Sequence, residues 1–132
     1  MKISACYIVK DEADELRRSL ASVAPAADEI VVVSTCGDTA VAAAAKEFHA
    51  ALYDFAWQGD FARARNHALR QTTGDLVIFL DADEFFTEKT SGNLRSALAR
   101  LWLSRQHEAL LIPMRHVTMD LQPLPTRSTI PL

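Results

Sequence analysis

Apolar positions along the chain fall into two alternating patterns. Short, nearly unbroken apolar runs occupy residues 3–9, 29–33, 51–55, 75–80 and 109–112. Runs without a polar alternation mark strands covered on both faces. Between them, apolar residues recur every three or four positions, as on one side of a helix. Leu16, Leu20 and Val23 do so over residues 12–23, with Asp11 placed to cap the helix. Val41, Ala44, Ala45 and Phe48 follow Asp38; Phe61, Ala64, Ala68 and Leu69 follow Asp60; Leu94, Ala97, Leu98 and Leu101 follow Ser91.

The punctuation agrees with this division. Gly37, Gly59, Gly74 and Gly92 all fall between periodic segments, and Pro113, Pro123, Pro125 and Pro131 lie in the last 20 residues. The expected organisation is a core over residues 1–112 and a Pro-rich extended tail over residues 113–132. Strictly alternating strands and helices, with apolar strands, predict an α/β three-layer sandwich: a mostly parallel sheet of five strands with helices on both faces.

In such sheets ligands bind outside the carboxyl ends of the strands. Polar residues gather there. Lys10, Asp11 and Glu12 follow the first strand, and Ser34, Thr35, Cys36, Gly37 and Asp38 the second. Trp57, Gly59 and Asp60 follow the third, and Asp81, Asp83 and Glu84 the fourth. The fourth group carries the most chemistry, with three carboxylates within four residues of an apolar strand. Like charges so close repel one another unless a cation intervenes. A hard divalent ion with oxygen ligands resolves the conflict, taking the rest of its shell from water and substrate phosphates. A solvated acidic turn is the competing reading. Arg63 and Arg65, near the start of the third helix, offer donors to a phosphate or a base. Phe61, Ala64 and Ala68 read as core, Trp57 as a packing residue and His67 as surface.

Composition narrows the class. Hydrophobic residues make up 49% and charged residues 23% of the 132, the balance of one globular domain. A net charge of −3 argues against a nucleic-acid partner, but not against a phosphate-bearing small molecule. No apolar run is long enough for a transmembrane helix, and the N-terminus lacks the features of a signal peptide. Cys6 and Cys36 have no metal-motif spacing and read as reduced thiols of a cytoplasmic protein.

Five motifs in order carry a resemblance. They are Ile8-Val9-Lys10-Asp11-Glu12, the run Asp28 to Val33, Asp60-Phe61-Ala62-Arg63-Ala64-Arg65-Asn66, Thr73-Gly74-Asp75, and Leu80-Asp81-Ala82-Asp83-Glu84. Over about residues 3–86 the chain resembles a family 2 glycosyltransferase. The resemblance implies a GT-A fold, a nucleotide-diphospho-sugar donor (a UDP-sugar first among them) and an inverting transfer assisted by Mg2+ or Mn2+. It assigns Asp81 and Asp83 to the D-x-D motif that holds the metal, with Asp81 also at the ribose. It assigns Lys10, Glu12, Arg65 and Asn66 to the walls of the nucleotide site. Ser34 stands where the family shows an Asp on the base, and Asp38 closes that loop.

The resemblance supplies no catalytic base within these residues, so the chain reads as a donor-binding half. The acceptor is unassigned. A surface left by the missing half would offer a route to dimers. Two other functions compete. One is a non-catalytic, degenerate nucleotide-binding module. The other is a Mg2+-dependent phosphatase of the haloacid dehalogenase type. That fold carries its D-x-D on the first strand, whereas here it follows the fourth.

Overall fold

The computed structural model describes residues 1–104, 109, 114 and 115. Among the described residues four strands and four helices alternate: β1 (Ile3–Val9), α1 (Ala13–Val23), β2 (Glu29–Ser34), α2 (Thr39–Glu47), β3 (Ala51–Asp54), α3 (Phe61–Gln71), β4 (Leu76–Leu80) and α4 (Glu88–Ser104). The strands form one all-parallel sheet in the order β3-β2-β1-β4. The expected fifth strand, residues 109–112, and the Pro-rich tail lie outside the described residues, apart from isolated positions.

Side-chain alternation along β1 sorts the layers. Ala5, Tyr7 and Val9 point into a core shared with Leu16, Leu20 and Val23 of α1 and Val41, Ala44 and Ala45 of α2. Ile3 continues that face toward Leu94 and Leu98 of α4. On the opposite face, Cys6, Val31 and Val33 pack against Ala68 of α3. Helices therefore cover both faces, three on one and α3 on the other. Each fully buried Val or Leu contributes about 1.5–3 kcal/mol to holding these layers together. Inside the first core the Tyr7 hydroxyl pairs with that of Ser19 at 2.7 Å, so its burial leaves no polar atom unpartnered.

Some local expectations change. The N-cap of α1 is Glu12, not Asp11, and its side chain makes no capping bond into the helix. Asp38 and Asp60 do cap, accepting from the N–H of Val41 and Arg63. The fourth helix starts at Glu88, a turn before Ser91. Ser91 is instead a tether within α4, donating from its hydroxyl to the carbonyl of Ser22 at 2.6 Å. Ala97 is exposed, so the buried stripe of α4 narrows to Leu94 and Leu98. β4 is only half-buried along its length, and among the described residues it pairs with β1 alone.

The amino-end rim of the sheet is closed by a polar knot. The Ser4 hydroxyl donates to Glu29, and the Gly74 N–H donates to the same hydroxyl. The N–H of Thr73 donates to Glu29 at 2.8 Å, and that of Lys2 to Asp75 at 2.7 Å. Among the described residues no helix is long and apolar enough to cross a membrane.

Candidate functional site

At the carboxyl ends of the strands lies a cleft of about 770 Å3. Each strand supplies part of its wall. Lys10 and Glu12 follow β1, and Thr35 and Cys36 follow β2. Trp57 follows β3, and Asp81 and Asp83 follow β4. A smaller recess adjoins it, walled by Arg65, Phe79 and Glu84 and sharing Phe61 and Asp81 with the cleft.

The loop after β1 is shaped by Glu12. Its carboxylate accepts the N–H groups of Lys10 and Asp11, both at 3.3 Å, which folds the chain back at the strand end. The loop after β2 is fastened to it: the N–H of Thr35 donates to the Val9 carbonyl at 3.0 Å, and the Cys36 thiol to the Lys10 carbonyl at 3.1 Å.

The acidic turn after β4 is held by its own last residue. Glu84 accepts the N–H of Asp81 at 2.7 Å, while the N–H of Glu84 donates to the Asp81 carbonyl at 3.0 Å. This reciprocal pair leaves the carboxylates of Asp81 and Asp83 exposed in the cleft, with Ala82 buried between them. Glu84 is thereby occupied as a loop fastener. Behind the turn, the Arg18 guanidinium lies over the Phe85 ring at 4.5 Å, which ties the turn to α1.

Among the described residues, no three His, Cys, Asp or Glu side chains come together as a metal cage. Two exposed carboxylates on one cleft wall nevertheless suit an ion such as Mg2+ or Mn2+, which uses one or two protein carboxylates and draws its other ligands from phosphate and water.

The third helix brings the aromatic and cationic wall. Phe61, expected in the core, is 48% exposed and forms part of the cleft. Phe61 is the first residue of α3, and of that helix only Ala64 and Ala68 are buried. Trp57, expected to pack, is 50% exposed and meets Phe61 edge to face at 6.3 Å between centroids. Arg65 lies over the Phe61 ring at 4.9 Å and the Phe79 ring at 5.3 Å, which aims its charge along the recess. His67 stacks on Phe55 at 4.7 Å and is half-buried.

The sequence-predicted residues thus divide. Lys10, Glu12, Asp81 and Asp83 meet in the cleft, and Arg65 adjoins it. Ser34, Asp38 and Asn66 are not among its walls. Ser34 is buried, and its hydroxyl accepts the Gly37 N–H at 3.1 Å within its own loop. Asp38 caps α2, and Asn66 is exposed on α3. Thr35, Cys36 and Trp57, expected at the strand-end rim but given no ligand role, are wall residues, as are Phe61 and Glu15, which sequence reasoning missed. Glu15 carried a signal, since it lies three residues after Glu12 on the first turn of α1.

Beneath the cleft, Cys6 is fully buried. Burial, reinforced by the nearby Glu29 charge and opposed by Arg65, pushes its thiol up to about 12. Cys6 is therefore a neutral core residue. Burial likewise pushes the Tyr7 phenol above its usual range.

Comparison with known proteins gives three findings. The family model for glycosyl transferase family 2 matches residues 4–102. A TPR repeat-containing protein of Synechococcus elongatus is 42% identical over 97 residues, covering 74% of this chain and 24% of that one. The chain thus spans about a quarter of the length of that relative. The fold is similar to that of Staphylococcus aureus TarS, with a TM-score of 0.60 and 24% identity, covering 78% of this chain and 20% of that chain. It is also similar to glucosyl-3-phosphoglycerate synthase from Mycobacterium tuberculosis, a structure holding Mn2+, uridine diphosphate and phosphoglyceric acid. There the TM-score is 0.56 at 20% identity, covering 72% of this chain and 39% of that chain.

Proposed function

The chain belongs to glycosyl transferase family 2, and on that premise we propose that its cleft receives a nucleotide-diphospho-sugar for metal-assisted, inverting transfer of the sugar. The observation that carries this reading is the exposure of Asp81 and Asp83 on one wall of a 770 Å3 cleft that Lys10 also lines. The mycobacterial relative's complex with Mn2+ and uridine diphosphate supports it by analogy of fold.

In this reading Asp81 and Asp83 hold a divalent cation, with Asp81 also toward the ribose. When bound, such an ion neutralises a leaving diphosphate as a Lewis acid. The chain's own residues do the rest. Lys10 and Arg65 bring positive charge to a cleft otherwise walled by Glu12, Glu15, Asp81 and Asp83, which would repel a bare diphosphate. Glu12 and Glu84 keep the two loops in shape through their backbone hydrogen bonds. Ser34 and Asp38 shape the loop after β2 and do not contact the ligand. Two unpaired cysteines suit the reducing cytoplasm, where we assign the reaction.

Calorimetric titration of the chain with UDP, with and without Mn2+, tests this. The expected result is nucleotide binding that requires the metal and weakens at least tenfold in Asp83→Ala. Binding indifferent to the metal, or no binding, overturns it.

A further inference from the structure

Resting on that donor-site reading, we infer that the nucleobase is held by stacking on Trp57, braced by Phe61, and that the site accepts different bases with similar affinity. Three observations lead there. The first is distance. Trp57 follows β3 and the acidic pair follows β4, the two outer strands in the order β3-β2-β1-β4. Those strands lie three spacings apart, about 14 Å at the usual separation. The cleft spans that whole width. A nucleoside diphosphate with its phosphates at Asp81 and Asp83 extends its base toward Trp57.

The second observation is exposure. Trp57 and Phe61 leave 50% and 48% of their surface open in the cleft. Their edge-to-face contact and the Arg65 guanidinium over the Phe61 ring hold that wall in place. Aromatic surface so placed is a platform for a flat ring.

The third is the fate of Ser34. Ser34 is 2% exposed and lies outside the cleft walls, with its hydroxyl turned into its own loop toward the Gly37 N–H, so burial keeps it from a base edge. Thr35 and Cys36 line the cleft in its place, and their hydroxyl and thiol already donate to the backbone carbonyls of Val9 and Lys10. Edge hydrogen bonds discriminate among bases; stacking does so weakly, because every base has a π-face.

The test titrates the chain, in Mn2+, with UDP, CDP, GDP, ADP and pyrophosphate, and repeats this for Trp57→Ala and Trp57→Phe. The expected result is affinities for the four nucleotides within about tenfold of one another. Trp57→Ala weakens all four by about tenfold or more, the range of a lost base stack. Trp57→Phe restores most of the loss, and pyrophosphate binding stays unchanged in both variants. Nucleotide binding that survives Trp57→Ala intact, or that favours one base by more than a hundredfold, overturns the inference and leaves the donor-site reading standing. Failure of pyrophosphate and of every nucleotide to bind overturns both.

Discussion

The backbone N–H of Gly74 donates to the hydroxyl of Ser4 at 2.9 Å, and the two segments approach so closely there that a side chain at residue 74 has no room. An added Cβ would lie against the Ser4 hydroxyl and 2.8 Å from the Ser4 backbone nitrogen. The nitrogen belongs to a central strand and cannot yield. Gly74→Ala is therefore expected to destabilise the fold by roughly 1–3 kcal/mol, the cost of overpacking. Urea denaturation reads this as a lower midpoint. Ligand affinity at the opposite rim should be unchanged under conditions where the variant is folded.

The same knot gives stability a dependence on acid. Desolvation pushes the Glu29 carboxyl upward. Hydrogen bonds from Ser4 and from the N–H and hydroxyl of Thr73, with the charge of Lys2, outweigh that and hold it below its ordinary value of 4.5. A carboxyl lowered in the folded state stabilises the fold above its unfolded value, and that contribution disappears as pH falls through the folded one. Asp28, lowered by the Ile3 N–H and by Arg95, acts in the same direction. Thermal melting should therefore show a falling midpoint as pH drops below about 4.5. In Glu29→Gln that acid limb should be shallower; an unchanged limb refutes the assignment to Glu29.

Glu84 offers a test of shape against charge. Its carboxylate serves the Asp81 N–H, and the side-chain carbonyl of glutamine can accept the same bond. Glu84→Gln should keep metal-dependent nucleotide affinity within a few-fold. Glu84→Ala, which frees the turn, should weaken it by about tenfold, the worth of roughly one hydrogen bond to a charged group. Equal losses in both variants would mean that the charge of Glu84, and not its bond to the turn, is what the ligand requires.

The two cysteines should react very differently. Cys36 is exposed in the cleft, whereas Cys6 is buried with its thiol pushed up to about 12. A disulfide reagent should label one thiol quickly in the native protein and the second only on unfolding. UDP with Mn2+ should slow the first labelling, since Cys36 lines the cleft. Labelling of Cys36 at an undiminished rate in saturating ligand would separate that wall from the bound state.

The layered fold was legible because parallel strands are apolar on both faces, so the runs ending at Val9, Val33 and Leu80 announced themselves. The rim residues were legible where charge clustered, as at Asp81 and Asp83. Reading failed where position in space overrode periodicity. Phe61 shares a helical face with Ala64 and Ala68, yet as the first residue of α3 it lines the cleft at the strand ends and not the core. Ser91 was expected just before the fourth helix, and its tether to the Ser22 carbonyl, 69 residues away in sequence, leaves no local signal. Ser34 looked available to a ligand, and only the fold of its own loop shows its hydroxyl already engaged.

The order of the strands also sets the form of whatever lies across their ends. Neighbouring strands in a sheet turn by about 20–25° relative to one another. From β4 to β3 there are three such steps, so the two flanks of the cleft are rotated by roughly 60–75°. A straight, rigid molecule can follow one flank or the other. Only one with a swivel near its middle can lie flat against the tryptophan and still present its far end squarely to the paired aspartates. The backbone of the sheet thereby selects for flexible, hinged ligands before any side chain takes part.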